Sequence, residues 1–367
     1  MDRFVALDIS PRHFVRPKNS DWRHVRLLRD NLGALSQAWT LEMSVDPGFL
    51  ARTNFNYLSK AVRGRMARPQ AIFEYNFVKF GASRPRADII FSYGGFPLDA
   101  NLPPILYQDS PTDWDAQLKY GFTVKQIEDE IVLKKELVQR ADHCAVTTPH
   151  ARKLLVDEYG ADPQRTHVLP YFTPYLDGVE AADVTRKHAS GPVEILFVGR
   201  EARRKGLDVL LQAFVSDKMR SVDARLTIVS TFVDGQMELP TDERITVIPG
   251  ATVDEVQRLM RRAHIFAMPS RIETFGIVYV EAMAAGTVCV APNREPQIGL
   301  MGGGERGGLV ECEVDDVADA LAKLCADDTL RCDMALRSLA YFDEVYSTPA
   351  LVRQFEKAFS ATLASRR

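Results

Sequence analysis

Long apolar runs are missing from this chain of 367 residues. Nowhere do about 18 uncharged apolar residues follow one another, which excludes a transmembrane helix of ordinary composition. The first twenty positions carry Asp2, Arg3, Asp8, Arg12 and Arg16 around no apolar core, so they do not read as a secretory leader. Cysteine is sparse and unpatterned. The five residues (Cys144, Cys289, Cys312, Cys325, Cys332) are odd in number, lack C-x-x-C spacing and stand mostly in apolar runs. That argues against a disulfide framework and fits reduced thiols in a cytoplasmic protein. None of the seven histidines forms a metal-ligand pair at helical spacing, and no repeat or low-complexity tract occurs.

What is present is the composition of a soluble globular protein, 46% hydrophobic and 26% charged, with a length that suits two domains better than one core. The net charge of −3 is unevenly spread: residues 1–90 hold 15 Lys/Arg against 8 Asp/Glu, and the remainder holds 31 against 41. The basic N-terminal part either faces something anionic or is simply a solvated face. Nucleic acid is not expected as a partner, because no recognition motif accompanies the charge. Leu58, Val62 and Met66 share a helical stripe among Lys60, Arg63, Arg65 and Arg68. Such a helix could lie on an anionic membrane in peripheral contact, or turn its stripe to the domain core.

Short apolar runs alternate with helical spacing through the first half. Strands are expected at 4–9, 38–45, 71–73, 88–93, 105–107, 145–148 and 167–169, and helices at 21–33, 50–66 and 124–140. The pattern lapses between Tyr171 and Pro192 into Pro, Gly and charged residues, which reads as a linker. A second series follows, with strands at 193–198, 225–230, 245–248, 264–268, 287–291 and 309–310 and closing helices at 314–325, 329–341 and 349–365. Alternation without hairpin signals predicts parallel sheets covered by helices.

Two stretches carry the chemistry. Gly199-Arg200-Glu201-Ala202-Arg203-Arg204-Lys205-Gly206 follows the run 193–198, and Glu273-Thr274-Phe275-Gly276-Ile277-Val278-Tyr279-Val280-Glu281 follows the run 264–268. A strand handing its chain to a helix through a glycine-containing loop presents unpaired N–H groups and a positive dipole end, a ready phosphate site. Arg200 and Lys205 add a fork and a point charge for a diphosphate. Glu273 and Glu281 suit sugar and ribose hydroxyls, although glutamate is by default a surface residue. Arg203 and Arg204 read as members of a solvated cluster.

These stretches resemble the large family of retaining GT-B-fold glycosyltransferases (family 4, glycosyl transferases group 1), whose signature is a glutamate, seven residues and a second glutamate. The resemblance is dense over about 192–342 and includes Gly250-Ala251-Thr252-Val253, Met268-Pro269-Ser270, Glu281–Gly286 and Gly308-Leu309-Val310. It implies an α/β GT-B fold: a Rossmann-like acceptor domain (1–173), a Rossmann-like nucleotide-sugar domain (174–348) facing it across a cleft, and a helix (349–367) packing back on the first domain. It implies a retaining, metal-independent transferase in polysaccharide or glycoconjugate biosynthesis that uses a nucleotide diphosphate sugar as donor and no cofactor. By resemblance, Arg200, Lys205 and Glu273 are catalytic. Gly199, Gly250, Thr252, Thr274, Phe275, Gly276, Ile277 and Glu281 bind donor, and the loop at Gly250 reads the nucleobase through its backbone. Many relatives glycosylate lipid-linked acceptors at the inner leaflet, so a cytoplasmic protein, peripheral on the inner membrane face, is expected.

The N-terminal half departs from the family. Asp8-Ile9-Ser10-Pro11-Arg12 replaces the usual Gly-Gly loop, and Gln108-Asp109-Ser110-Pro111 stands where relatives place a sugar-contacting histidine. Asp109 either accepts a sugar hydroxyl or caps a turn. Tyr93, Gly94 and Gly95 either face acceptor or form an empty turn. Ser230-Thr231-Phe232 replaces a Gly-rich turn. Asp113-Trp114-Asp115 has the D-x-D form of metal-dependent transferases but lies in a Pro/Asp-rich loop and reads as chance, so no metal is expected. The rivals are a non-catalytic sugar-nucleotide or glycan-binding relative, suggested by the missing N-terminal motifs, and an epimerase or phosphorylase on the same fold.

Overall fold

The computed structural model describes residues 2–8, 39–43, 89–93, 104–108, 123–173, 178–189, 191–231 and 239–365. The chain divides into two compact units, Met1–Phe172 with Leu351–Arg367, and Thr173–Ala350. The expected strand at 71–73 and helices at 21–33 and 50–66, the stripe of Leu58, Val62 and Met66 included, lie outside the described residues.

The first unit is a six-stranded parallel sheet, β1 (Asp2–Asp8), β2 (Trp39–Met43), β3 (Ile89–Tyr93), β4 (Pro104–Gln108), β5 (His143–Val146) and β6 (Thr166–Val168), in the order β2-β1-β3-β4-β5-β6. Helix α1 (Val124–Arg140) begins on a capping box of Thr123 and Gln126, and α2 (Pro149–Asp157) on Thr148, whose hydroxyl accepts from the Ala151 N–H. Ile105, Leu106 and Tyr107 of β4 are buried side by side, as a strand covered on both faces requires. Tyr107 donates to the Leu169 carbonyl at 2.8 Å.

In the second unit α3 (Ala181–His188) precedes β7 (Val193–Val198), α4 (Leu207–Phe214), α5 (Asp217–Arg220), β8 (Ala224–Val229), β9 (Ile245–Ile248), α6 (Val253–Arg262) and β10 (Ile265–Ala267). Then come α7 (Ile277–Ala284), β11 (Val288–Pro292), α8 (Gln297–Leu300), β12 (Gly307–Val310), α9 (Val314–Ala326), α10 (Asp328–Val345) and α11 (Thr348–Ala364). From Leu351 onward α11 belongs to the first unit, where Phe355 and Phe359 set their rings 6.0 and 6.1 Å from Phe91.

The second sheet is also wholly parallel, with the order β12-β11-β10-β7-β8-β9. Counted from β7, the chain adds β8 and β9 on one side and then crosses to add β10, β11 and β12 on the other. Strand order therefore reverses between β7 and β10, the place where doubly wound sheets open a crevice at their C-terminal edge. All of β10 and β11 is buried.

The linker expected at 171–192 is corrected by α3. Proline and glycine dominate its flanks, but 181–188 is Ala-Ala-Asp-Val-Thr-Arg-Lys-His, with Val184 and His188 buried one turn apart and Asp183 in the first turn. Val179 donates its N–H to the Ala284 carbonyl at 3.0 Å, so this segment is docked on the end of α7.

Candidate functional site

Both motif loops leave the sheet at the reversal point, Gly199–Gly206 from the end of β7 and Met268–Gly276 from the end of β10, and these strands are neighbours. The first loop coils through a turn in which Lys205 N–H bonds the Glu201 carbonyl at 2.9 Å and Leu207 N–H bonds that of Ala202 at 2.9 Å. It enters α4 through Gly206 at φ 74°. The second loop enters α7 through Gly276 at φ 75°, and no side chain caps that helix. A Cβ at Gly276 would meet the Tyr279 ring at 2.5 Å, so glycine is required by backbone and neighbour alike. Tyr279 is wholly buried and donates to the Met268 carbonyl at 2.5 Å, tying the start of the loop to the helix it feeds.

Lys205 and Glu273, 68 positions apart, meet as an ion pair with side chains 12% and 8% exposed. Burial pulls the Lys205 ammonium below its ordinary range; Glu273 opposes that shift and Arg204 adds to it. Arg200, by contrast, is exposed and forms no ion pair among the described residues. Thr274 is exposed, and its N–H donates to Glu273 Oε1 at 3.2 Å. Phe275 is buried with its ring 6.3 Å from Tyr346, while its carbonyl accepts from Gln297 Nε2 at 3.4 Å. Ile277 and Glu281 are half-buried and one turn apart on α7.

Gly250 stands at φ 91°, and a Cβ there would lie 3.4 Å from Thr231 Cγ2, so the altered turn after β8 borders this loop. Thr252 is the N-cap of α6. Its N–H and hydroxyl both bond Glu255 Oε2, at 2.7 and 2.8 Å, and its Oγ1 accepts from the Glu255 N–H at 3.3 Å. The Thr252 side chain is thus engaged in building the helix start.

Three residues outside the expected set hold the two loops together. Arg204, expected to be a solvated cation, donates from Nη1 to the Ile272 carbonyl at 3.0 Å and stands 3.9 Å from Glu273 Oε2. Arg271 grips Asp208 with both Nη groups, at 2.7 and 2.9 Å. These contacts span more than sixty positions and leave no local sequence signal. Asp208 is the first-turn acid after Gly206, and Arg271 stands two before Glu273; position relative to the motifs is the one hint available.

Gln108 is buried at the end of β4, and Tyr93 ends β3. Gly94, Gly95, Asp109, Asp113 and Asp115 lie outside the described residues. His264 accepts the Glu194 N–H on Nδ1 at 3.0 Å and is structural. Among the described residues no group of three or more His, Cys, Asp or Glu could hold a metal ion, and no helix is long and apolar enough to cross a membrane.

Residues 180–338 match the family model of glycosyl transferases group 1. The D-inositol 3-phosphate glycosyltransferase of Nocardia farcinica is 30% identical over 266 residues, 66% of this chain and 58% of that protein. The chain thus spans little more than half the length of this relative. Sucrose-phosphate synthase from Thermosynechococcus elongatus superposes with a TM-score of 0.69 over 99% of this chain and 100% of that one, at 19% identity. HepE from Anabaena, solved with UDP and glucose, gives 0.66 over 98% and 100%, at 15% identity. With two parallel Rossmann-like sheets, these likenesses show the GT-B fold.

Proposed function

We propose, on the premise that residues 180–338 are a group 1 glycosyltransferase domain, that the protein moves a sugar from a nucleotide diphosphate sugar to an acceptor with retention of anomeric configuration. The observation that carries this reading is the meeting of Lys205 and Glu273 at the reversal point of the second sheet, beside the uncapped start of α7. A cation, a carboxylate and the positive dipole end of α7 there suit a diphosphate joined to a sugar. The bond between the anomeric carbon and the diphosphate oxygen breaks, its electron pair stays on that oxygen, and the acceptor hydroxyl forms the new bond and gives up its proton to the departing diphosphate. Arg200, Lys205 and the helix N-terminus at Thr274–Ile277 would stabilise the leaving diphosphate, a purely electrostatic contribution. Glu273 would hold the sugar hydroxyls and Glu281 the ribose. Gly199, Gly250 and Phe275 would shape the nucleotide pocket.

The Glu-x7-Glu arrangement supports retention, which NMR of the product anomer tests. Arg200 and Lys205, already at the first loop, support turnover without a divalent metal. Loss of activity in EDTA, restored by Mn²⁺ or Mg²⁺, would overturn that point and bring Asp113 and Asp115 forward. The basic balance of residues 1–90 supports salt-sensitive contact with an anionic inner-leaflet surface in the cytoplasm, at roughly 1 kcal/mol per basic residue near it. Co-sedimentation with anionic but not neutral liposomes at low salt is the expected result. For the reaction itself, release of nucleoside diphosphate from a panel of UDP-, GDP- and ADP-sugars, dependent on acceptor, is the decisive measurement. Nucleotide binding without turnover for any acceptor class would favour the binding-relative reading instead.

A further inference from the structure

We infer that Asp208 and Arg271 form a positioning clamp that sets the two donor loops in register, and that Arg294 extends it to a third loop. The inference rests on the donor-site reading above. Arg271 is held through its N–H, its carbonyl and both Nη groups. Its N–H donates to the Arg204 carbonyl at 2.8 Å, Nη1 also reaches the Arg203 carbonyl, and Nη1 and Nη2 grip the two oxygens of Asp208 at 2.7 and 2.9 Å. Its own carbonyl accepts from Arg294 Nη1 at 2.6 Å. Asp208 belongs to the first turn of α4, after β7; Arg271 follows β10, and Arg294 follows β11. Those strands are neighbours in the order β11-β10-β7, so the chain Asp208–Arg271–Arg294 runs across three adjacent strand ends.

The clamp brackets the proposed catalytic pair on both loops. Lys205 lies three residues before Asp208, and Glu273 two after Arg271. The loops also touch directly: a Cβ at Gly206 would lie 2.1 Å from the Pro269 carbonyl oxygen. A planar guanidinium on a carboxylate fixes orientation as well as distance, which a lysine in its place would not. Neither Asp208 nor Arg271 needs to touch donor. Their effect passes through where Lys205 and Glu273 are held, and misplacement by a fraction of an ångström is costly when a charged group must meet a developing charge.

The test uses the full chain, with titration calorimetry of UDP, GDP and ADP to find the nucleotide that wild type binds. Asp208→Asn is expected to weaken that nucleotide at least five-fold and to lower kcat/KM for its sugar at least ten-fold, with the acceptor KM unchanged. Arg271→Lys, which keeps the charge and loses the fork, is expected to fall between. Asp208→Glu should restore most of the loss. In a Lys205→Ala background the added effect of Asp208→Asn should shrink below two-fold, since a clamp that acts through Lys205 has nothing left to position. Arg186→Ala, an exposed ion-pair residue on α3, is the control. Wild type that binds none of the three nucleotides overturns the donor-site reading and the clamp with it. Wild type that binds one, with Asp208→Asn equal to it or fully additive with Lys205→Ala, overturns the clamp alone.

Discussion

The two edges of the second sheet differ in what they set against their cations. At the C-terminal edge Lys205 is paired with Glu273, Arg271 with Asp208 and Arg204 with Glu201. At the N-terminal edge Lys187, His188, His264 and Arg331 crowd together. Lys187 donates to the Ala285 carbonyl and Thr287 hydroxyl at 2.9 and 3.0 Å, and His188 Nε2 lies 3.0 Å from the Gly286 carbonyl. Arg331, 2% exposed, donates to His188 Nδ1 at 3.2 Å and to the Leu324 carbonyl at 2.7 Å. Burial brings Lys187 down to about 7 and His188 to about 3; for His188 the Gly286 carbonyl opposes the shift, and the charges of Lys187, His264 and Arg331 add to it. The C-terminal edge pairs its cations with acids; at the N-terminal edge Arg331 alone has one, Asp328 at 2.6 Å, while Lys187 and His188 meet carbonyl, hydroxyl and guanidinium groups. Burial pulls both Lys187 and Lys205 down, and Lys205 has a carboxylate opposite that resists the shift.

The largest effect expected on this contrast is Gly206→Ala. The new methyl meets the Pro269 carbonyl and the backbone at φ 74° disfavours it, so a loss of at least about 3 kcal/mol in urea unfolding is expected, with donor binding abolished. Unchanged stability would mean that the loops are not pressed together. Lys205→Ala and Glu281→Ala come next. Each should lower turnover at least ten-fold with near-native circular dichroism, since a lost charged contact is worth about 1.5–3 kcal/mol. Wild-type turnover in both would remove the donor assignment from the C-terminal edge.

The N-terminal edge is sharpened by pH. Lys187 and His188 bind protons more weakly in the fold than their ordinary values of 10.5 and 6.5 allow, so the unfolded chain takes up more protons between the paired values. Stability should therefore rise with pH from about 7 to 10.5 through Lys187, and fall as pH drops from 6.5 towards 3 through His188. Each group contributes at most about 1.4 kcal/mol per pH unit. Lys187→Met should flatten the upper window relative to wild type; urea midpoints whose difference between the two proteins stays constant from pH 7 to 10 would contradict this. The smallest effect is expected of Arg203→Ala. That side chain is exposed and only its carbonyl is gripped, so activity should stay within two-fold and stability within about 0.5 kcal/mol.

Much of this contrast was legible in the sequence, for definable reasons. The strand–glycine–helix grammar at 193–214 and 264–284 is short-range, so it marks both loops from local sequence. Amphipathic spacing likewise marked α1 and the closing helices within a few residues. The buried N-terminal cluster was not legible, because a histidine or lysine in an apolar stretch carries no sign of whether a carbonyl or a carboxylate will meet it. Arg204 and Arg271 escaped for a related reason: their partners lie more than sixty positions away. Helix α3 is hidden because its eight residues, enough for two turns, sit between proline- and glycine-rich flanks.

That short helix decides where the molecule could be recombined. On α3, His188 accepts from Arg331 and the Lys187 carbonyl meets His264 Nε2 at 2.9 Å; Val184 fills the space beside Gly286 that a side chain there would need. A chimaera that grafts a foreign first half at Pro192, where the proline and glycine content invites a seam, would inherit a guanidinium without its two His188 acceptors and an imidazole without the Lys187 carbonyl. The natural seam lies upstream, near Thr173, so α3 must travel with the half it completes rather than with the one it follows.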